Sequence, residues 1–283
     1  MSGAAVAVMR PSYWWSRASS RTLRPPTAAP GRGVGAPVYH RAVRTASERR
    51  EELKAVYEQA RGCVRCPLHA TRTTVVFGAG NADAELMFVG EAPGANEDRQ
   101  GLPFVGQAGK LLDKLLGEIG LRREDVFIAN TLKCRPPDNR DPHPNEIAAC
   151  SEYLMRQVEL IEPIVICTLG NFSTKLLRGD PTGISRLHGV EQPLTIGRRT
   201  VRLYPLYHPA AALYTPSMLE TLRADFQRIP ELLAAGPPEQ PPVAEPPDVA
   251  ETLEPDELPE AQAEVAPHVE APPQVEALQL GLF

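Results

Sequence analysis

Apolar positions between residues 46 and 235 follow two rhythms that alternate along the chain. Short, nearly continuous apolar runs near 74–77, 85–89, 126–129, 163–168 and 200–205 have the length of strands and are bounded by turn-forming residues. Between them, apolar residues recur every three or four positions near 106–118, 144–160, 171–178 and 216–233, as at Leu111, Leu112, Leu115 and Leu116. That spacing predicts amphipathic helices. A further helix is expected from Glu51 to Arg61, ending at Gly62. Strands alternating with helices predict an α/β fold, a three-layer α/β/α sandwich around a mainly parallel sheet. The loops at the strand ends then converge on one edge, where open α/β sheets form ligand crevices.

Composition limits this domain to the middle of the chain. Residues 1–45 hold seven Arg and no acid, whereas 236–283 hold eleven acids and no Lys or Arg. The middle, 46–235, carries 23 basic and 24 acidic residues of the chain's 283, for an overall net charge of −5. The ends lack the apolar content that offsets ordering entropy, so one globular domain flanked by two disordered arms is expected. No apolar run reaches the roughly 18 residues of a membrane span. The Arg-rich arm has the composition of an organelle transit peptide; a weak phosphate-binding arm and a misplaced start codon are the alternatives.

The segment Leu86–Asp113 carries the strongest chemical signal. An apolar run breaks into Gly90-Glu91-Ala92-Pro93-Gly94, then an acidic and polar loop, then Leu102-Pro103-Phe104-Val105, and a helical pattern from Gly106. Glycines let a backbone approach a ligand closely, and Pro93 stiffens the loop. Phe104, between Pro/Gly corners, is placed to be a stacking platform. Further on, Asn130 ends a strand, where its amide is able to pair with the edge of a base. A turn-capping role is the alternative. His208, in Tyr207-His208-Pro209-Ala210, sits at another strand end and opens a loop of small residues. Lys133, Arg135 and Arg140 are candidates for phosphate contacts or a solvated face, and His143 reads as a surface loop residue.

Cys63 and Cys66 form a CxxC closed by Pro67, while Cys134 and Cys150 lie far downstream. Such a set points to metal rather than disulfides, and the spacing leaves zinc and an iron–sulfur cluster equally open. Cys167, inside an apolar run, reads as a small buried hydrophobe.

GEAPG followed by ED and LPFVGxAGxLLD, with NTLKCRPP and YHPAAAL downstream, closely resembles the uracil-DNA glycosylase superfamily in its type-4, iron–sulfur form. The resemblance implies a DNA repair enzyme that flips uracil out of single- or double-stranded DNA and hydrolyses its N-glycosidic bond. It implies that the backbone around Gly90, Glu91 and Ala92 closes the base pocket, Phe104 stacks on uracil, Asn130 reads its edge, and His208 bonds O2 as charge develops. Leu213, or else Tyr214, would fill the gap left in the duplex. Cys63, Cys66, Cys134 and Cys150 would hold a [4Fe-4S] cluster of structural role. One departure stands out: the best-known branch has an Asp where this chain has Ala92. Either Glu91 orients the attacking water, or the bond breaks dissociatively with little help.

The acidic tail ends in Gln279-Leu280-Gly281-Leu282-Phe283. This resembles the peptides by which bacterial repair and replication proteins dock on the sliding clamp, with Gly281 in place of the usual Ser or Asp. Gln279, Leu280, Leu282 and Phe283 would be the anchors; a chance apolar end is the alternative. A monomer in the cytoplasm of a bacterium, associated with the nucleoid, is then expected, and organelle import is less favoured. The rival functions are a superfamily enzyme for hypoxanthine or xanthine, and a DNA-binding module without catalysis.

Overall fold

The computed structural model describes residues 44–241. The arm 1–43, the distal tail and the peptide 279–283 lie outside them. The chain builds a six-stranded sheet in the order β1-β3-β2-β4-β6-β5. The strands are β1 (Ala79–Gly80), β2 (Leu86–Gly90), β3 (Phe127–Asn130), β4 (Val165–Leu169), β5 (Gln192–Ile196) and β6 (Arg199–Leu206). The inner pairings β3–β2, β2–β4 and β4–β6 are parallel, and only the edge strands β1 and β5 run antiparallel to their neighbours.

Alternation along each inner strand divides the core in two. Met87 and Val89 of β2 face one side with Phe127, Ala129, Ile166 and Leu203. Helices α1 (Ala46–Arg61), α4 (Pro144–Ile161) and α5 (Asn171–Arg178) cover that side through Leu53, Leu154 and Leu177. Leu86 and Phe88 face the other side, under α3 (Gln107–Glu118), α7 (Pro216–Gln227) and α8 (Ile229–Ala234), where Leu112, Leu222 and Ile229 are fully buried. Each such side chain contributes about 1.5–3 kcal/mol of burial. The three layers are those the sequence predicts.

Several local expectations differ. Residues 74–77 form no ladder, although 75–77 are buried: Val76 N–H bonds the Lys133 carbonyl at 2.8 Å, and the first strand follows at 79–80. The segment 216–233 is two helices, because Pro230 opens a new first turn after Arg228. The acidic loop after Gly94 contains a short helix, α2 (Ala95–Gln100). Helix α1 begins five residues earlier than Glu51, at a capping box in which Thr45 Oγ1 accepts from Glu48 N–H at 3.2 Å.

Candidate functional site

Because β2, β3, β4 and β6 are parallel, their carboxyl ends share one edge, and the chain order reverses between β2 and β4. Open α/β sheets leave a crevice at such a point. A cleft of about 750 Å³ opens there, lined by Glu91, Asp141, Gly170, Asn171, Lys175 and His208 among others.

Gly90 is the hinge of the site. A Cβ at this position would come within 2.4 Å of Asn130 Oδ1 and 2.8 Å of the Phe104 ring. Both groups therefore converge on a spot only glycine can occupy. Asn130 is 2 % exposed, and its amide has no hydrogen-bond partner among the described residues, nor is it sealed from open space. An amide left free in this way has both donors and its acceptor available to a group entering from outside. The loop after β2 is tied to β3 by Thr131 N–H to Gly90 O and Leu132 N–H to Glu91 O, both 3.0 Å. Asn130 and Phe104 stand beside the cleft wall formed by Glu91 and His208, not on it.

The Phe104 ring lies against the His208 imidazole, with centroids 5.6 Å apart and planes 28° from parallel. Phe104 has φ +52°, a left-handed conformation that bulky residues avoid. Its neighbours hold it there. Arg123 donates to the carbonyls of Pro103, at 2.8 Å, and Phe104. Gly109 makes room, since a Cβ would come within 1.7 Å of Phe104 O. Glu97 accepts from Val105 and Gly106 N–H at 2.9 and 3.0 Å, and Asp98 accepts from Thr73 N–H at 3.0 Å. The acidic pair of this loop is thus committed to backbone, with the Glu97 charge still within electrostatic reach of His208. Neither Arg123 nor these bonds carried a signal in the sequence.

His208 caps the one-turn helix α6 (Pro209–Ala212): its Nδ1 accepts from Ala210 N–H at 3.1 Å. The ring proton is then on Nε2, free to donate. Burial holds the imidazole below its usual pKa, so it is neutral at neutral pH. Gly170, at φ +96°, lets this loop close in, because a Cβ there would lie 3.1 Å from His208 Cβ. Burial, and then the charge of Asp141, hold the Glu91 carboxyl above its usual range. Ala92 packs its methyl against the core and offers no polar group. Asp141 shares the cleft with Glu91, an acid that the sequence did not single out. Leu213 is half-buried beyond α6, whereas Tyr214 is 89 % exposed.

The basic cluster differs from expectation. Lys133 is 1 % exposed and faces the interior, so it is no phosphate contact. Arg140 pairs with the buried Glu146 at 2.6 Å and is also spent. Arg135, half-buried, is bonded to Asn139 at 2.9 Å and has no acidic partner among the described residues. His143 is an exposed cap of α4.

Cys63, Cys66, Cys134 and Cys150 gather between α1, the segment after it and α4, all packed into or against one core cluster. None is in a disulfide. Burial raises the thiols of Cys66 and Cys134, and that of Cys150 to about 11. Each of these three also responds to the charge of others in the set, which sets them within mutual electrostatic reach. Arg72 Nη1 points at Cys134 Sγ from 3.4 Å, and Lys133 N–H at Cys150 Sγ from 3.2 Å. Such donors stabilise ligating thiolates. The donor set fits a thiolate-bound group, although among the described residues no three ligand side chains already stand in metal-holding array. Cys167 is fully buried in β4 and apart from this set.

Fold and crevice define an α/β protein whose strand-end crevice is bordered by an aromatic ring, an amide and an imidazole. Residues 77–233 match the profile of the uracil DNA glycosylase superfamily. The chain belongs to that superfamily. It is 48 % identical over 186 residues to a type-4 uracil-DNA glycosylase of Archaeoglobus fulgidus, an overlap of 64 % of this chain and 94 % of the relative. It is 47 % identical over 192 residues to that of Saccharolobus solfataricus (66 % and 89 %). The counterpart in Thermotoga maritima is 45 % identical over 166 residues (58 % and 85 %). No helix among the described residues is long and apolar enough to cross a membrane.

Proposed function

We propose that this protein is a DNA repair glycosylase that hydrolyses the N-glycosidic bond of deoxyuridine, releasing uracil and leaving an abasic site. The observation that carries the reading is that Asn130 and Phe104 converge on Gly90 while the Phe104 ring lies against His208. The names of the type-4 relatives support it.

The base leaves the stack to reach the pocket, at a cost of a few kcal/mol. Phe104 offers the stacking face. The Asn130 amide donates to uracil O4 and accepts from N3–H, a pattern cytosine reverses. As the bond breaks, negative charge develops on the base, and the Nε2–H of neutral His208 donates to O2. Glu91 orients the water that attacks the sugar, in the role that Ala92 cannot fill. Leu213 occupies the gap in duplex DNA; its replacement by Ala should slow duplex excision and leave single-stranded DNA unaffected.

A carboxylate base works above its pKa. Since Glu91 is held above the ordinary value of about 4.3, the single-turnover rate should rise with pH along a limb displaced upward from that value. Glu91→Gln is expected to flatten the limb and lower the plateau about 100-fold, a general-base contribution. An undiminished rate in that variant would remove Glu91 from the chemistry.

Cys63, Cys66, Cys134 and Cys150 are the residues that would hold a [4Fe-4S] cluster, which would tie α1 to the segment before α4. Brown colour in the purified protein separates it from zinc. Residues 46–235 form the catalytic domain in this reading, with 1–45 and 236–283 as arms. The tail peptide 279–283 is the proposed anchor to a sliding clamp, supported by the QLGLF pattern and a terminal spacer rich in Pro and Glu. Deleting 279–283 should abolish capture of a bacterial clamp while leaving uracil release intact; undiminished capture would end the proposal. A monomeric, cytoplasmic enzyme of a bacterium fits that anchor.

A further inference from the structure

Of the three cations expected at phosphates, Lys133 is interior and Arg140 is paired with Glu146. The cleft, however, does not end at His208. Asn171, Phe172, Lys175 and Leu176 line it too, with Gly179 just beyond α5. Positions spaced in this way form a single face of a helix. At roughly 1.5 Å per residue, that face runs about 13 Å from Gly170, packed against His208, to Gly179. The cleft volume of about 750 Å³ exceeds what one pyrimidine ring fills, which leaves room for the sugar and phosphates that a flipped base brings with it.

Lys175 is the one cation among the residues that line this cleft. It is half-buried, about 7.5 Å along the helix axis from Gly170. Three acids share the cleft, Glu91, Asp141 and Asp180. Even so, the Lys175 ammonium has no ion pair and no hydrogen bond among the described residues. Asp180 is committed elsewhere, to Arg178 at 3.1 Å and to Thr182 N–H at 2.6 Å. An ammonium kept in a cleft without a carboxylate is available to a strand phosphate. Partial burial makes such a contact stronger than one on an open surface. The placement also suits the reaction. A base held at His208 is followed by its sugar and phosphates, and α5 offers them a wall.

We propose that Lys175 binds a phosphate flanking the flipped deoxyuridine, so that the α5 wall of the cleft seats the sugar–phosphate strand. The inference rests on the uracil reading above for the identity of that nucleotide.

The test measures the affinity of full-length wild type, Lys175→Gln, Lys175→Arg and Lys114→Gln for single-stranded DNA as salt is raised. Lys114, exposed on α3 and outside the cleft lining, controls for the loss of one positive charge. The strand carries one 2′-fluorodeoxyuridine, whose electron-poor sugar resists cleavage. Each flanking phosphate is replaced in turn by a neutral methylphosphonate. Lys175→Gln should bind about 3- to 10-fold more weakly at low salt and lower the salt slope by about 0.7, the share of one phosphate on a single strand. Lys175→Arg should keep the wild-type slope. One of the two methylphosphonates should weaken the wild type and leave Lys175→Gln unchanged. No weakening of the wild type by either methylphosphonate would overturn the inference without recourse to any variant. An equal loss in Lys114→Gln would overturn it too, as would the same methylphosphonate penalty in Lys175→Gln as in the wild type. Uracil release from unmodified deoxyuridine is followed alongside. Its absence in a wild type that keeps the phosphate effect would overturn the uracil reading and leave the contact standing.

Discussion

Replacement of His208 by alanine is expected to slow uracil release in a single turnover by roughly 100- to 1,000-fold, the usual cost of removing one donor aimed at a developing anion. The expectation follows from the tautomer. Nδ1 is occupied by Ala210 N–H at 3.1 Å, which leaves Nε2–H as the donor. Burial keeps the ring neutral, so it enters the reaction without a positive charge that water would solvate better. The loss should appear in the rate at saturating enzyme and little in DNA affinity, because the bond to O2 strengthens only as charge develops. Rates on duplex substrates checked by alkaline cleavage of the abasic site give the answer. A loss below about tenfold would mean that the anion is stabilised elsewhere.

Asn130→Asp is expected to cost at least about 1,000-fold in kcat/KM on uracil, because a site built to bond a polar edge fails when one of its partners turns repulsive. The carboxylate takes away the donor to O4 and leaves an acceptor facing an acceptor. It also buries a charge 2 % exposed to solvent, next to Gly90. Discrimination against cytosine should fall at the same time, since the exocyclic amine of cytosine donates to a carboxylate. Competition between deoxyuridine- and deoxycytidine-containing strands measures this directly. Wild-type selectivity in the variant would remove Asn130 from base reading.

The layers of the fold were legible because burial and period agree along most of the chain. Leu86–Gly90, Phe127–Asn130 and Val165–Leu169 are buried on both faces and read as continuous apolar runs. The edges were less legible. Strand β5 carries Pro193, its one exposed residue, so it lacks the pattern of a central strand. Val75–Phe77 has the apolar content of a strand, but its bonds go to Lys133 and Gln157, partners that no local window contains. The start of α1 is legible at Thr45 and Glu48, which form the capping pattern in the sequence itself.

The candidate site divides along the same line. Gly90, Asn130 and His208 announce themselves by residue type at strand ends. Arg123, Glu97 and Gly109, which hold Phe104 at φ +52°, do not, because their role is to satisfy one backbone conformation. Lys133 reads as a surface base from its neighbours Arg135 and Arg140. Only the packing of α4 against β3 reveals that it is interior.

The most direct test of the central claim is release of free base from DNA carrying a single deoxyuridine, measured in a single turnover with the full chain, with deoxyinosine DNA alongside. Uracil and an alkali-labile abasic site are expected from the first substrate and no base from the second. Tight DNA binding without uracil release would contradict it and make the protein a recognition module. Hypoxanthine release at a comparable rate would contradict the role given to Asn130.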